Sequence, residues 1–106
     1  MHYDFAMRLT NHQSAVIVEI LRQHFGAGSR VRLFGSRTDD QARGGDIDLF
    51  LEPEIQEPDA LVEAKLQALV DLHKALGEQK IDIVIARKDA PELPIHQIAR
   101  RTGISI

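Results

Sequence analysis

Two aspartates, Asp46 and Asp48, occupy alternate positions at the start of an apolar run over residues 47–51. Side chains alternate between the two faces of a strand, so both carboxylates are expected on one face and the apolar side chains on the other. Carboxylates this close repel each other, and a bound divalent cation removes that repulsion. Oxygen ligands on a rigid strand suit Mg²⁺, which completes its coordination with water and substrate phosphates. The pair therefore predicts a magnesium site.

A third carboxylate, Asp82, is the only acidic residue of a second β-branched run over residues 80–85. If the two strands are neighbours in one sheet, Asp82 can lie on the same face as Asp46 and Asp48. Three carboxylates on adjacent strands can hold two metal ions about 4 Å apart, the arrangement that stabilises the attacking and leaving oxygens in phosphoryl transfer. Alone, Asp82 would more often be a surface residue, but the three aspartates together favour a site.

A phosphate-binding turn is expected upstream of these aspartates, where Gly35 and Ser36 follow the predicted strand 30–34. Glycine allows backbone amides to approach a phosphate closely, and the serine hydroxyl can add a hydrogen bond. Arg37 and Arg43 lie in the following loop as candidate bidentate phosphate ligands. An ordinary turn with two solvated arginines is the alternative interpretation of this segment.

These residues together resemble the DNA polymerase β-like nucleotidyltransferase superfamily. The resemblance is carried by Gly35 and Ser36, nine further residues, then Asp46 and Asp48, and finally Asp82 in its own apolar strand. The short chain resembles the minimal nucleotidyltransferases, or MNT proteins, within that superfamily. The match covers roughly the middle and later thirds of the sequence, and the combination of motifs is far more specific than any one of them.

The resemblance implies an α+β fold, with a small mixed sheet and helices on one face. It implies that Asp46, Asp48 and Asp82 bind two Mg²⁺ ions and that ATP places its β- and γ-phosphates on Gly35 and Ser36. The second ion would lower the pKa of an acceptor hydroxyl, and Asp82 is also a candidate to take its proton. The hydroxyl would attack the α-phosphorus in line, and pyrophosphate would leave.

The resemblance also implies a partner protein, because the larger relatives carry further domains for which this chain has no sequence. The usual partner of the minimal group is a HEPN-domain protein, in some pairs a toxic ribonuclease. The leading hypothesis is an antitoxin that transfers AMP from ATP to a tyrosine of that toxin. Two alternatives stay open: a catalytically silent antitoxin that only binds, and an enzyme acting on a small-molecule hydroxyl with a partner subunit. Gly45, where the family more often has serine, is a departure from the pattern.

Composition limits the other possibilities. The 106 residues predict a single domain, 1–106, with residues 1–9 as a leader. The formal charge of −3 and the five aromatic residues, none of them Trp, argue against direct binding of nucleic acid. The absence of cysteine excludes disulfides and thiolate metal sites. No apolar run is long enough for a membrane span, so the cytoplasm is the expected location, and a homo-oligomer remains open.

The secondary structure expected around these motifs begins with a helix capped by Thr10 and Gln13 and ended near Gly26. Strands are expected over residues 30–34, 46–51 and 81–85. A second helix is expected from Asp59 as N-cap to Leu76, and short helical and extended pieces follow Pro94. The predicted buried stripe of the second helix consists of Val62, Leu66, Leu69, Val70, His73 and Leu76.

Overall fold

The computed structural model describes residues 9–35, 47–77 and 79–106. In these residues the chain forms three helices and four strands, in the order α1 (Asn11–Phe25), β1 (Arg30–Phe34), β2 (Ile47–Glu52), α2 (Pro58–Leu76), β3 (Ile81–Ile85), α3 (Pro94–Thr102) and β4 (Ile104–Ser105). The predicted α+β class is confirmed. Each strand and helix expected from the sequence is present, with bounds that differ by a few residues.

The four strands form one mixed sheet in the order β3-β2-β1-β4. Strand β1 runs antiparallel to both β2 and β4, whereas β2 and β3 are parallel. The parallel pair is connected through α2, because two parallel strands need a crossover and cannot be joined by a tight turn. The mixed sheet predicted from the resemblance is therefore confirmed.

The main core lies between the sheet and the two long helices. Alternate residues of β1, β2 and β3, among them Leu33, Leu49 and Ile83, form this core with α1 and α2. The expectation that the helices lie on one face is confirmed for the two long helices but is wrong for α3. The short helix α3 is a further layer on the opposite face, where Ala99 packs against Phe50. It can pack there because the strand positions facing it include large apolar side chains besides the polar ones.

The start of α1 is fixed by the predicted capping box. The Thr10 hydroxyl accepts the backbone N–H of Gln13, and the Gln13 side chain accepts the backbone N–H of Thr10, both at 3.0 Å. The helix ends at Gly26, whose φ of 111° is unfavourable for other residues. Leu9, the last residue of the predicted leader, is buried in the main core, so it belongs to the folded domain.

The start of α2 was predicted wrongly. Glu57, and not Asp59, is the N-cap: its carboxylate accepts the N–H of Ala60 at 2.7 Å. Pro58 then takes the first helical position, where a residue without an N–H is tolerated. Asp59 lies in the first turn, where its negative charge favours the positive end of the helix dipole.

The buried face of α2 was also predicted wrongly in its main part. The side chains facing the core are those of Leu61, Ala64, Ala68 and Leu72. Val62, Leu66 and Val70 are instead 62%, 60% and 53% exposed. Leu69 and Leu76 do pack partly against the core, and His73 is exposed. The helix has two apolar stripes, and the one with small alanines faces the core.

No helix among the described residues is long and apolar enough to cross a membrane.

Candidate active site

The end of β1 is held against the start of β2. Phe34 is the antiparallel register partner of Asp48, and Gly35 follows it directly with φ of 77°. A Cβ atom at Gly35 would overlap Oδ2 of Asp48. The sequence predicted that glycine here lets backbone amides approach a phosphate, and that stays a prediction. In the structure, the space beside the Gly35 Cα holds the Asp48 carboxylate.

Asp48 and Asp82 are brought together by the parallel pair of strands. They are direct register partners across β2 and β3, whose axes are about 4.8 Å apart in a regular sheet. The residues that flank them, Ile47 and Leu49 on β2 and Ile81 on β3, are buried in the main core. Both carboxylates are therefore on the face away from the long helices, with Asp82 exposed and Asp48 half-buried. The predicted sharing of one face is confirmed for this pair.

The rest of the predicted site falls in the segment between β1 and β2. Ser36, Arg37, Arg43 and Asp46 lie outside the described residues, so their predicted roles stay predictions. Among the residues that are described, no group of three or more His, Cys, Asp or Glu could hold a metal ion. The described part of the predicted ligand set is the pair Asp48 and Asp82.

The donor chemistry of this pair fits Mg²⁺. Its ligands would be carboxylate oxygens on two neighbouring strands, and hard oxygen ligands of this kind are what the ion prefers. The glycine beside Asp48 keeps side-chain bulk away from that carboxylate, since even a methyl group would overlap it. As register partners, Asp48 and Asp82 add two acidic side chains to this end of the sheet.

Farther along the same face, Arg100 forms a second polar cluster that the sequence interpretation missed. Its Nη1 donates to Glu52 at 2.5 Å and its Nε donates to Glu92 at 3.2 Å. The guanidinium also lies 5.2 Å from the centre of the Phe50 ring. The hydrogen bond to Glu52 raises the pKa of Arg100, burial opposes this, and the charges of Glu52 and Glu92 add to the rise.

The cluster joins two elements. Glu52 ends β2, and the Arg100 side chain reaches it from α3. One sequence pattern could have indicated part of this cluster. The alternation of side chains along β2 places Asp48, Phe50 and Glu52 on one face.

A cleft of about 390 Å³ lies beside this cluster, lined among others by Arg30, Glu52, Arg87 and His96. Neither Asp48 nor Asp82 lines it. The cleft and the carboxylate pair are therefore at different ends of the same sheet face.

No protein-family model matches the sequence, and no curated protein matches it either.

Proposed function

We propose that the chain is a Mg²⁺-dependent nucleotidyltransferase that transfers AMP from ATP to a hydroxyl group. The observation that carries the proposal is the register pairing of Asp48 with Asp82, next to the backbone of Gly35. Three segments far apart in the sequence thus contribute to one end of the sheet. They are the same segments whose motifs resemble the polymerase β-like superfamily.

In this proposal Asp46, Asp48 and Asp82 would hold Mg²⁺, which supplies charge neutralisation for the triphosphate when bound. Gly35 and Ser36 would bind the phosphates through their backbone amides and the serine hydroxyl. The loop arginines, Arg37 and Arg43, would add bidentate hydrogen bonds to phosphate oxygens. Both roles position the α-phosphate, and positioning accounts for much of the catalysis in phosphoryl transfer.

The transfer step follows from this placement. The acceptor oxygen attacks the α-phosphorus and forms a new P–O bond, while the bond from that phosphorus to the bridging oxygen of pyrophosphate breaks. Pyrophosphate leaves with the electron pair, and Asp82 accepts the proton of the hydroxyl. Asp82 is suited to this role because its side chain is exposed on the edge strand β3, where an acceptor can reach it.

We further propose that the acceptor is a tyrosine of a HEPN-type partner protein and that the chain acts as its antitoxin in the cytoplasm. Support for a protein partner comes from Val62, Leu66 and Val70, spaced four residues apart and all more than half exposed on α2. A contiguous apolar row on a helix is typical of a protein interaction surface.

The direct test uses labelled ATP and Mg²⁺, with and without the protein encoded by the neighbouring gene, and reads the intact mass of both proteins. Wild type is compared with Asp48→Asn and Asp82→Asn, and Glu63→Gln on α2 serves as the control for removal of an exposed charge. We expect an added AMP on the partner with wild type and Glu63→Gln, and at least a 100-fold slower transfer with the two aspartate variants.

Other outcomes would contradict the proposal. A tight complex without AMP transfer, equally stable with Asp48→Asn, would indicate an antitoxin that acts by binding alone. Transfer to an added small-molecule hydroxyl, and not to the partner, would refute the protein acceptor while keeping the enzyme. Leu66→Glu tests the interface: we expect it to abolish the complex, whereas loss of self-association alone would assign the row to a homodimer.

A further inference from the structure

The cleft beside Arg100 is separate from the proposed catalytic end. It is bounded by the start of β1, the end of β2, the residues after β3 and helix α3. Glu52 at the end of β2 and Ala86 just after β3 both line it, and each follows an aspartate of the pair by four residues. At about 3.3 Å per residue, this puts the cleft roughly 13 Å from the carboxylates. Its volume of about 390 Å³ is in the range of small-molecule sites.

A buried histidine donor is available in this cleft. His96 is 8% exposed, packs against Phe50 at 5.9 Å between ring centres, and lines the cleft. Its Nδ1 accepts the backbone N–H of Leu93 at 3.1 Å. The neutral ring must then carry its proton on Nε2, because only one nitrogen of neutral imidazole can be the acceptor. No described residue accepts a hydrogen bond from Nε2.

Besides Arg100, three cationic side chains line the same cleft. They come from two further elements: Arg30 begins β1, and Arg87 and Lys88 follow β3. Within the described ranges none of the three is in an ion pair, although the chain as a whole has a formal charge of −3. Cations without a partner gathered in an acidic protein indicate an anionic ligand.

The carboxylates of the cleft already have partners. Arg100 bonds both Glu52 and Glu92, and Glu54 accepts the backbone N–H of Gly28 at 2.7 Å. Arg30, Arg87, Lys88 and the Nε2–H of His96 remain to hold a ligand.

We propose that this cleft binds a phosphoryl group of a small molecule. Donors from β1, from the loop after β3 and from α3 approach it from three elements, which suits the several oxygens of a tetrahedral phosphate. A planar carboxylate needs only one arginine fork. The limited volume favours a small molecule over a nucleic acid chain. The site is independent of the proposed catalysis and would remain if the transfer activity were absent.

The test measures the side-chain ¹⁵N resonances of His96 during titration with inorganic phosphate at constant ionic strength. It uses the full chain carrying Asp48→Asn, without Mg²⁺, so that the carboxylate end does not contribute. We expect the free protein to show the proton on Nε2 and phosphate to shift that resonance saturably. Adding Arg87→Gln and Lys88→Gln should weaken phosphate binding at least tenfold. The control Arg101→Gln, on the same helix as His96 but outside the cleft, should leave phosphate binding unchanged.

Parallel titrations identify the source of the phosphoryl group. Tighter binding of AMP than of phosphate would identify a nucleotide, and equal binding would identify phosphate itself; either supports the site. Acetate or chloride shifting Nε2 as strongly as phosphate would overturn the proposal. Equal affinity of the Arg87→Gln/Lys88→Gln variant and the Arg101→Gln control would overturn it as well, provided both unfold at the wild-type temperature.

Discussion

The backbone of Gly35 approaches the carboxylate of Asp48 so closely that a methyl group on its Cα would overlap Oδ2. The contact joins the residue after β1 to the second residue of β2. Its φ of 77° also favours glycine, so two separate effects oppose any larger residue at this position.

A double-mutant cycle separates these two effects. Gly35→Ala should lower the free energy of unfolding by about 1–3 kcal/mol, because it adds backbone strain and a clash. In an Asp48→Ala background the strain persists but the overlap with Oδ2 is gone. We expect Gly35→Ala to be less destabilising there by about 1 kcal/mol, measured by urea denaturation. An equal loss in the free energy of unfolding in both backgrounds would show that the overlap with Asp48 Oδ2 does not contribute to the effect of Gly35→Ala.

Magnesium should stabilise the wild-type fold through the aspartate pair. At ten times its Kd, a cation that binds only the folded state adds about 1.4 kcal/mol to the free energy of unfolding. Asp82→Asn should remove this gain and, without Mg²⁺, should leave stability unchanged or slightly higher, because the like charge opposite Asp48 is gone. Thermal unfolding with and without MgCl₂ measures both effects, with Glu63→Gln as the control. An identical Mg²⁺ response in Asp82→Asn would exclude that residue as a ligand.

The two stripes of α2 should differ sharply in their effect on stability. Leu72→Ala removes a fully buried side chain and should cost about 2–4 kcal/mol. Leu66→Ala removes a side chain that is 60% exposed and should cost less than about 1 kcal/mol. Urea denaturation of the isolated chain makes the comparison. Similar losses in the free energy of unfolding for the two variants would mean that the Leu66 side chain is buried in solution.

Arg100 should contribute more to stability than its neighbour Arg101. Arg100→Ala leaves Glu52 and Glu92 without their partner and removes the guanidinium from the Phe50 ring, so we expect a loss of about 1–2 kcal/mol. Arg101→Ala, on the exposed side of the same helix, should cost no more than about 0.5 kcal/mol. The difference should shrink in 1 M NaCl as the ion pairs are screened. Equal losses would indicate that only the dipole of α3 is affected.

Local signals predicted much of this fold. The capping box at Thr10, the glycine after α1 and the β-branched runs each act through neighbours in sequence, and all were located correctly. Asp48 and Asp82 were expected on one face if their strands are neighbours, and the register of β2 and β3 confirms this. The alternation rule itself was applied to Asp46 and Asp48, and that pairing stays a prediction because Asp46 lies outside the described residues. Strand order and the parallel direction of β3 were not predicted, since both depend on how α2 crosses the sheet.

The errors on α2 have a different origin. Val62, Leu66 and Val70 form one apolar stripe, whereas Leu61 and Leu72 lie on the other with two alanines, so hydrophobicity alone does not decide which stripe is buried. The chain buries Ala64 and Ala68, whose small side chains let α1 approach, and His24 of α1 bonds Asp71 of α2 at 2.7 Å. Which stripe faces inward is thus decided by the neighbouring helix. The Arg100 cluster was missed for the same reason, because its partners are on separate elements.

The parallel pairing of β2 with β3 has a consequence for how the carboxylate pair comes into existence. Asp48 and Asp82 meet only after all of α2 has folded back across the sheet, so their contact is among the non-local ones that slow folding. A chain interrupted after Leu76 lacks Asp82 and therefore the pair. During synthesis, both aspartates become available to one metal ion only once β3 has been made and has paired with β2.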